Sequence, residues 1–323
     1  MGIHKSAGVL PREGKLIVEV AVSGASGLIG TALTSALKAA GHRPVALVRR
    51  PTRTGDEIQW SPSDRTIDAE SLKGISAVVH LAGAPIGKRW TDSYKKVLFE
   101  SRVNGTELLA STLAQMDGGP TRFLSGSAIG FYGDGTQAVN ETSARGSGFL
   151  ADLTVAWEEA AQVAVDADNV SVAFLRTGIV QSRKGGALGK QLPLFKLGAG
   201  GRLGSGNQFT SWISMTDQVA AIIFLLAHPD GQRITGPVNL TAPNPVTNAE
   251  YTKALGAAVN RPTFIPVPMF GPKLLFGAEL VKEMLEGGQM VIPQVLLDAG
   301  FTFAHDTIEE ALVAELSRKR EVA

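Results

Sequence analysis

Over the first 240 positions, apolar residues fall into short β-type runs separated by longer stretches with helical spacing. Residues 16–23 (L-I-V-E-V-A-V-S), 44–49 (P-V-A-L-V-R), 75–82 (I-S-A-V-V-H-L-A), 122–126 (R-F-L-S-G) and 170–177 (V-S-V-A-F-L-R-T) read as strands. Between them, 29–41, 93–114 and 149–161 read as helices. Leu33 and Leu37 share one face of the first helix, and Gly41 stands where it should end. Apolar strands alternating with helices call for a parallel sheet covered on both faces. The expected fold is therefore α/β: a doubly wound parallel Rossmann sheet over 15–182 and a smaller mixed C-terminal lobe over 183–323. One strand or helix of that lobe is expected to return to the sheet. Residues 1–14 mix Gly, Pro and charge and are expected to be a disordered leader.

The second part has a different texture. Glycines crowd 183–210, and a mobile loop over a cleft is expected there. It is not a P-loop, because Lys184 occupies the first glycine position and Gln191 the position of the magnesium-binding hydroxyl. Past Pro243 the chain becomes proline-dense, with two helical stretches around V-I-P-Q at 291–294.

Composition narrows the chemistry. Basic and acidic residues nearly balance, 31 against 30, without a long run of either sign, so neither a nucleic-acid footprint nor a membrane-surface patch is expected. No cysteine is present, and the five histidines are far apart, so no metal site is expected. The longest apolar run, 219–227, is too short for a bilayer, which needs about 20 residues. The opening M-G-I-H-K-S fits the loose myristoylation pattern, but the disordered leader is the preferred reading. The cytoplasm is the expected compartment and an unidentified small molecule the expected partner, with a homodimer left open.

The sharpest chemical signal is A-V-S-G-A-S-G-L-I-G, which puts Gly24, Gly27 and Gly30 between the first strand and the first helix. Gly24 allows the tight turn, Gly27 admits a pyrophosphate, and Gly30 lets the helix pack on the sheet. The anion would rest on the free N–H groups of the helix start, and Ser26, Leu28 and Ile29 are assigned to the same site. A tight turn without ligand is the plainer alternative. The second strand ends in Arg49 and Arg50 rather than an acidic residue. Guanidiniums can pair a 2′-phosphate and cannot accept from a ribose hydroxyl, which favours NADP(H) over NAD(H). A solvated basic turn is the alternative here.

S-G-A-S-G-L-I-G, V-V-H-L-A-G and S-R-V-N-G-T together resemble the extended short-chain dehydrogenase/reductases. More narrowly, G-K-R-W-T, F-Y-G-D, W-E-E-A-A, R-T-G-I-V and G-N-Q-F-T-S-W-I resemble an atypical epimerase-like (SulA-like) subgroup with a C-terminal segment of unknown function. The resemblance spans about residues 16–317. It implies a Rossmann fold and NADP(H), with Leu81, Ala82 and Gly83 on the adenosine side, Arg102 near the phosphates and Val180 near the nicotinamide. Ser125 is placed in the cofactor site as well. Ser214 departs from the subgroup, which usually has histidine there.

Typical family members transfer a proton with a Tyr-x-x-x-Lys pair on one helix face. Aligned on Glu158, this chain carries Leu150 and Thr154 at those positions. None of its three tyrosines has a lysine four residues on. Ser127 falls where the family's catalytic serine would, and Tyr132 follows on the same loop; both are candidate catalytic residues, each with a purely structural alternative. Asp152 would be an acid or base only if buried, and His80 reads as a packing residue. Lys88 and Arg89 are either anion-recognising or simply solvated. The expected function is an NADP(H)-binding epimerase/dehydratase-like or reductase-like protein. The alternative is a catalytically silent NADP(H)-binding regulator or sensor.

Overall fold

The computed structural model describes residues 18–317. The leader expected at 1–14 lies outside them. Strands β1 (Glu19–Ser23), β2 (Arg43–Val48), β3 (Glu57–Ser61), β4 (Thr66–Ile67), β5 (Ala77–His80) and β6 (Arg122–Ala128) belong to the first half. Helices α1 (Leu28–Ala39) and α2 (Asp92–Gln115) lie between them. The chain continues through β7 (Ala138–Val139), α3 (Phe149–Glu159), α4 (Gln162–Val165), β8 (Ser171–Thr177), β9 (Ile179–Gln181) and α5 (Gly186–Lys196). Next come β10 (Phe209–Thr210), β11 (Trp212–Ser214), α6 (Met215–Ala227), α7 (Pro229–Gln232), β12 (Gly236–Leu240) and β13 (Val246–Thr247). The last elements are α8 (Asn248–Ala258), α9 (Phe270–Phe276), α10 (Ala278–Val281), β14 (Met290–Val291), α11 (Gln294–Asp298) and α12 (Ile308–Ser317).

The central sheet runs β12-β8-β6-β5-β1-β2-β3-β4, parallel throughout except where β4 turns back on β3. Alternate residues of each inner strand serve opposite faces. Val20 and Val22 of β1 pack with Leu33 and Leu37 of α1 and Ile222 of α6, whereas Ala21 joins Leu109 and Leu113 of α2 on the other side. Both faces are apolar because both are covered, which is why the strands read as nearly continuous apolar runs. Strand order reverses between β1 and β5, and the crevice beyond their C-terminal ends is where such sheets receive a ligand.

Of the strands outside the sequence pattern, two are full-length members of the central sheet. β3 (E-I-Q-W-S) and β12 (G-P-V-N-L) are five residues each, interrupted by charge or proline. They become strands by pairing, β3 with β2 and β12 with β8, because the ladder to a formed strand supplies what local propensity lacks.

The expectation of a mobile loop across 183–210 is corrected over 186–196, which form the helix α5. Glycine content hid a helical stripe: Leu188, Leu192 and Phe195 are buried against Trp212, Tyr251 and Leu255. The helices α5, α8 and α12 share this core and form the main part of the C-terminal lobe.

Candidate functional site

The turn after β1 is shaped by its glycines. Gly24 has φ +67, and a Cβ there would come 2.9 Å from the Leu81 carbonyl group. A Cβ on Gly30 would stand 2.1 Å from the Gly24 carbonyl oxygen, so this helix start can approach the turn only without a side chain. Gly27 precedes α1 with no side-chain cap, and a Cβ there would meet only the Gly24 oxygen, at 3.1 Å. The N–H groups of Leu28, Ile29 and Gly30 have no preceding helical turn to bond, so they are open to an anion. Ala25, Leu28, Ile29, Leu81 and Val180 come together at the partly buried fringe of one core cluster. The backbone at Gly185–Gly186 lies against Leu28.

The loop after β5 is held from beneath. Ser23 Oγ accepts from the N–H groups of Leu81 (3.1 Å) and Ala82 (3.3 Å), so its own proton goes to His80 Nδ1 at 2.5 Å. That bond fixes the Nε2–H tautomer of His80, whose ring stands edge-on to Trp60. Burial pushes the imidazole down to about 3. His80 is thus more than packing: it orients the serine that shapes the Leu81–Gly83 loop. Because the folded state holds His80 neutral and the unfolded chain titrates near 6.5, stability is fully present above 6.5 and is lost as pH falls toward about 3. The slope through that window should be about 1.4 kcal/mol per pH unit. Urea unfolding of the parent and of His80→Asn across this range checks it; equal slopes would remove His80 as the cause.

Arg102 of α2 lies against Gly83, whose Cβ would stand 3.4 Å from the guanidinium carbon. It donates to the carbonyls of Leu98 and Ala84, each at 3.2 Å, and lies 5.1 Å over the Trp157 ring. Burial lowers it to about 10, and both carbonyls it bonds are neutral, leaving its charge available to a phosphate. Ser125 is fully buried, and its hydroxyl finds no partner among the described residues.

The two arginines after β2 separate. Leu47 pairs with Ser23, so both leave the sheet beside the glycine turn. Arg50 is committed: it grips both oxygens of Glu57, at 2.6 and 2.9 Å, and these bonds drop the carboxyl to about 2. Arg49 is exposed, and its guanidinium forms no bond among the described residues.

At the end of β6 the candidate hydroxyls enter one buried array. Ser127 Oγ donates to Glu158 at 2.5 Å. Arg176 of β8 holds both Glu158 oxygens at 2.8 Å and donates to the Tyr132 hydroxyl at 3.0 Å. Tyr132 in turn donates to Asn239 at 2.7 Å. Arg176 also lies 3.5 Å over the Phe131 ring. Burial raises the Tyr132 phenol above its ordinary value despite Arg176. The sequence reading assigned no role to Arg176 or Glu158; the available signal was an arginine inside an otherwise apolar strand, which must find a partner when buried.

Positions 150 and 154 are given over to structure. Leu150 packs into the cluster of Trp90, Leu98, Leu153 and Leu280, and Thr154 donates to the Leu150 carbonyl at 2.7 Å. Glu283, from the C-terminal lobe, accepts the N–H groups of Phe149 and Leu150, both at 2.9 Å, and so caps α3 from 133 residues away. Asp152 fails the burial condition: it is exposed and pairs with Arg145. Lys88 lies 5.6 Å over Tyr94, and Arg89 donates to the Leu274 carbonyl at 3.1 Å. Ser214 caps α6 and donates to Asp217 at 2.7 Å, while His305 sits 3.0 Å from the same hydroxyl. Among the described residues no cluster of His, Asp and Glu could hold a metal.

A parallel sheet with this strand order, a glycine turn at its switch point and an uncapped first helix define a dinucleotide-binding Rossmann protein. Residues 20–240 match the NAD dependent epimerase/dehydratase family and residues 267–315 a domain of unknown function, DUF1731. The chain belongs to the epimerase/dehydratase family, within the atypical short-chain dehydrogenase/reductase subgroup of epimerase family proteins. It is 45% identical over 295 residues to the epimerase family protein Mb2239 of Mycobacterium bovis, covering 91% of this chain and 96% of that one. It is 35% identical over 300 residues to the human epimerase family protein SDR39U1, covering 91% and 98%. The crystal structure of human SDR39U1 (isoform 2) with NADPH superposes with a TM-score of 0.84 at 32% identity, over 93% of this chain and all of that one.

Proposed function

We propose that this chain binds NADP(H) across the Gly24–Gly30 turn and carries out an epimerase/dehydratase-like or reductase-like reaction without a Tyr-x-x-x-Lys pair. The start of α1 carries the reading: three open N–H groups, a glycine whose missing side chain leaves room for a pyrophosphate, and Arg49 free beside the turn. The human relative crystallised with NADPH supports the same nucleotide. Backbone of Leu28 and Ile29 would hold the pyrophosphate, Ser26 would border it, Arg102 would balance its charge and Arg49 would take the 2′-phosphate. Leu81, Ala82 and Gly83 would line the adenosine side, Val180 the nicotinamide side, and Ser125 the floor between them. When bound, the nicotinamide supplies hydride transfer at carbon.

Ser127 is the hydroxyl suited to exchange a proton with substrate, since Glu158 behind it can take up the proton that Ser127 passes on. Arg176 steadies the charge on Glu158. Tyr132 takes part by positioning Arg176, because its raised phenol is a weak acid at neutral pH. The filled positions at Leu150 and Thr154 favour a second reading, a protein that binds NADP(H) without turnover.

NADPH should bind more tightly than NADH, and Arg49→Asp should narrow or reverse the preference, since losing a charge-assisted phosphate contact costs about 1.5–3 kcal/mol. Equal affinities for the two nucleotides in the unmodified protein, by fluorescence titration, would overturn the assignment.

A further inference from the structure

The exposed large apolar side chains are concentrated. Leu197, Phe264, Ile265, Phe270, Leu274 and Leu275 stand on the end of α5, on the loop 261–269 and on α9. The first two of these elements touch: Arg261 donates to the Lys196 carbonyl at 2.9 Å, and a Cβ on Gly201 would run into the Ile265 carbonyl. The loop leads directly into α9, which buries none of its seven residues. Phe264 is 91% exposed and Leu197 80%. Apolar groups this open and this close together mark a surface meant to be covered.

Charge identifies the cover. The segments 183–206 and 251–278 carry eight lysines and arginines and no aspartate or glutamate, whereas the rest of the chain is acidic, with 23 basic residues against 30 acidic. Lys196, Arg202 and Arg261 are exposed without a carboxylate partner among the described residues; Lys273 is paired with Glu286 at 2.6 Å. A second copy of the chain would bring these cations against themselves in a two-fold contact, so the face is not self-complementary. Phe264 and Ile265 are adjacent on the loop and both largely exposed, with Arg261 on the same loop and Lys196 and Arg202 on the segment that touches it. Apolar tips surrounded by cations suit the boundary between acyl chains and anionic headgroups.

We infer that this face of the C-terminal lobe docks on an anionic lipid bilayer, with Phe264, Ile265 and Leu274 entering the interface and Lys196, Arg202 and Arg261 meeting the headgroups. Binding is peripheral: no helix among the described residues is long and apolar enough to cross a membrane. The inference is independent of the cofactor reading. It departs from the expectation drawn from overall charge, because residues 60 or more positions apart gather on one face only in the folded chain.

The full chain should float with phosphatidylcholine vesicles containing phosphatidylglycerol, not with phosphatidylcholine alone, and should be released by high salt. Phe264→Ser with Ile265→Ser should weaken the partition about a hundredfold, roughly tenfold for each apolar side chain withdrawn. Lys196→Glu with Arg261→Glu should abolish the preference for the anionic lipid. Unchanged thermal unfolding would show that both variants are folded. Phe264→Trp should shift its emission to the blue on the anionic vesicles. No flotation at low salt, or flotation that survives both double variants, overturns the inference. So does a dimer in vesicle-free solution that the same substitutions dissolve, since the face would then belong to a second copy.

Discussion

Gly27→Val is expected to abolish NADPH binding while leaving the fold, and Gly30→Val to lose the fold itself. The two glycines are three residues apart, yet their missing side chains face different things. Gly27 has φ −75 and ψ 175, extended backbone that valine also adopts, and its Cβ would approach only the Gly24 oxygen. The new side chain would stand over the open N–H groups of α1 at a cost of about 1 kcal/mol or less in capping. At Gly30 a Cβ would stand 2.1 Å from the Gly24 oxygen and 2.8 Å from Ala25 Cα, both backbone, so the turn must open. NADPH at a hundred times its Kd should stabilise the parent by about 2.7 kcal/mol. Thermal unfolding with and without NADPH should show none of that in Gly27→Val. A full ligand-induced shift in this variant would remove the turn as the phosphate site.

Ser127→Ala should lower turnover about 10²–10⁴-fold once a substrate is in hand, the usual contribution of a positioned acid or base. It should leave stability nearly unchanged, since Glu158 keeps both of its bonds to Arg176. Glu158→Ala should behave oppositely in stability, costing about 3–5 kcal/mol, because it strands the buried Arg176 guanidinium without a counter-charge. Urea unfolding and single-turnover kinetics separate the two effects. Full turnover in Ser127→Ala would end the relay. Absence of hydride transfer with carbonyl and alcohol substrates, in a protein that still binds NADPH, would favour the non-catalytic reading.

The glycine turn was legible because its constraint is local: three glycines and the start of the following helix lie within ten residues, and backbone sterics read them directly. The parallel sheet was legible for a related reason, since burial on both faces leaves continuous apolar runs in β1, β5 and β8. α5 was not, because its stripe of Leu188, Leu192 and Phe195 is diluted by glycine and becomes helical by packing on Trp212 and α8.

The chain by itself determined strands β1, β2, β5, β6 and β8 of the sheet, the turn that shapes its switch point, and the pair of arginines beside it. Only the tertiary structure decided that Arg50 is spent on Glu57 while Arg49 is free, that Ser127 sits on a Glu158–Arg176 pair, and that Glu283 caps the helix carrying Leu150. These are choices between partners from 7 to 134 residues apart in sequence. Any arginine can reach any carboxylate in principle, and spacing along the chain does not say which carboxylate the fold brings within 3 Å. The cationic, apolar face of the lobe is similar: its two acid-free segments are visible in the chain, and only packing brings them together.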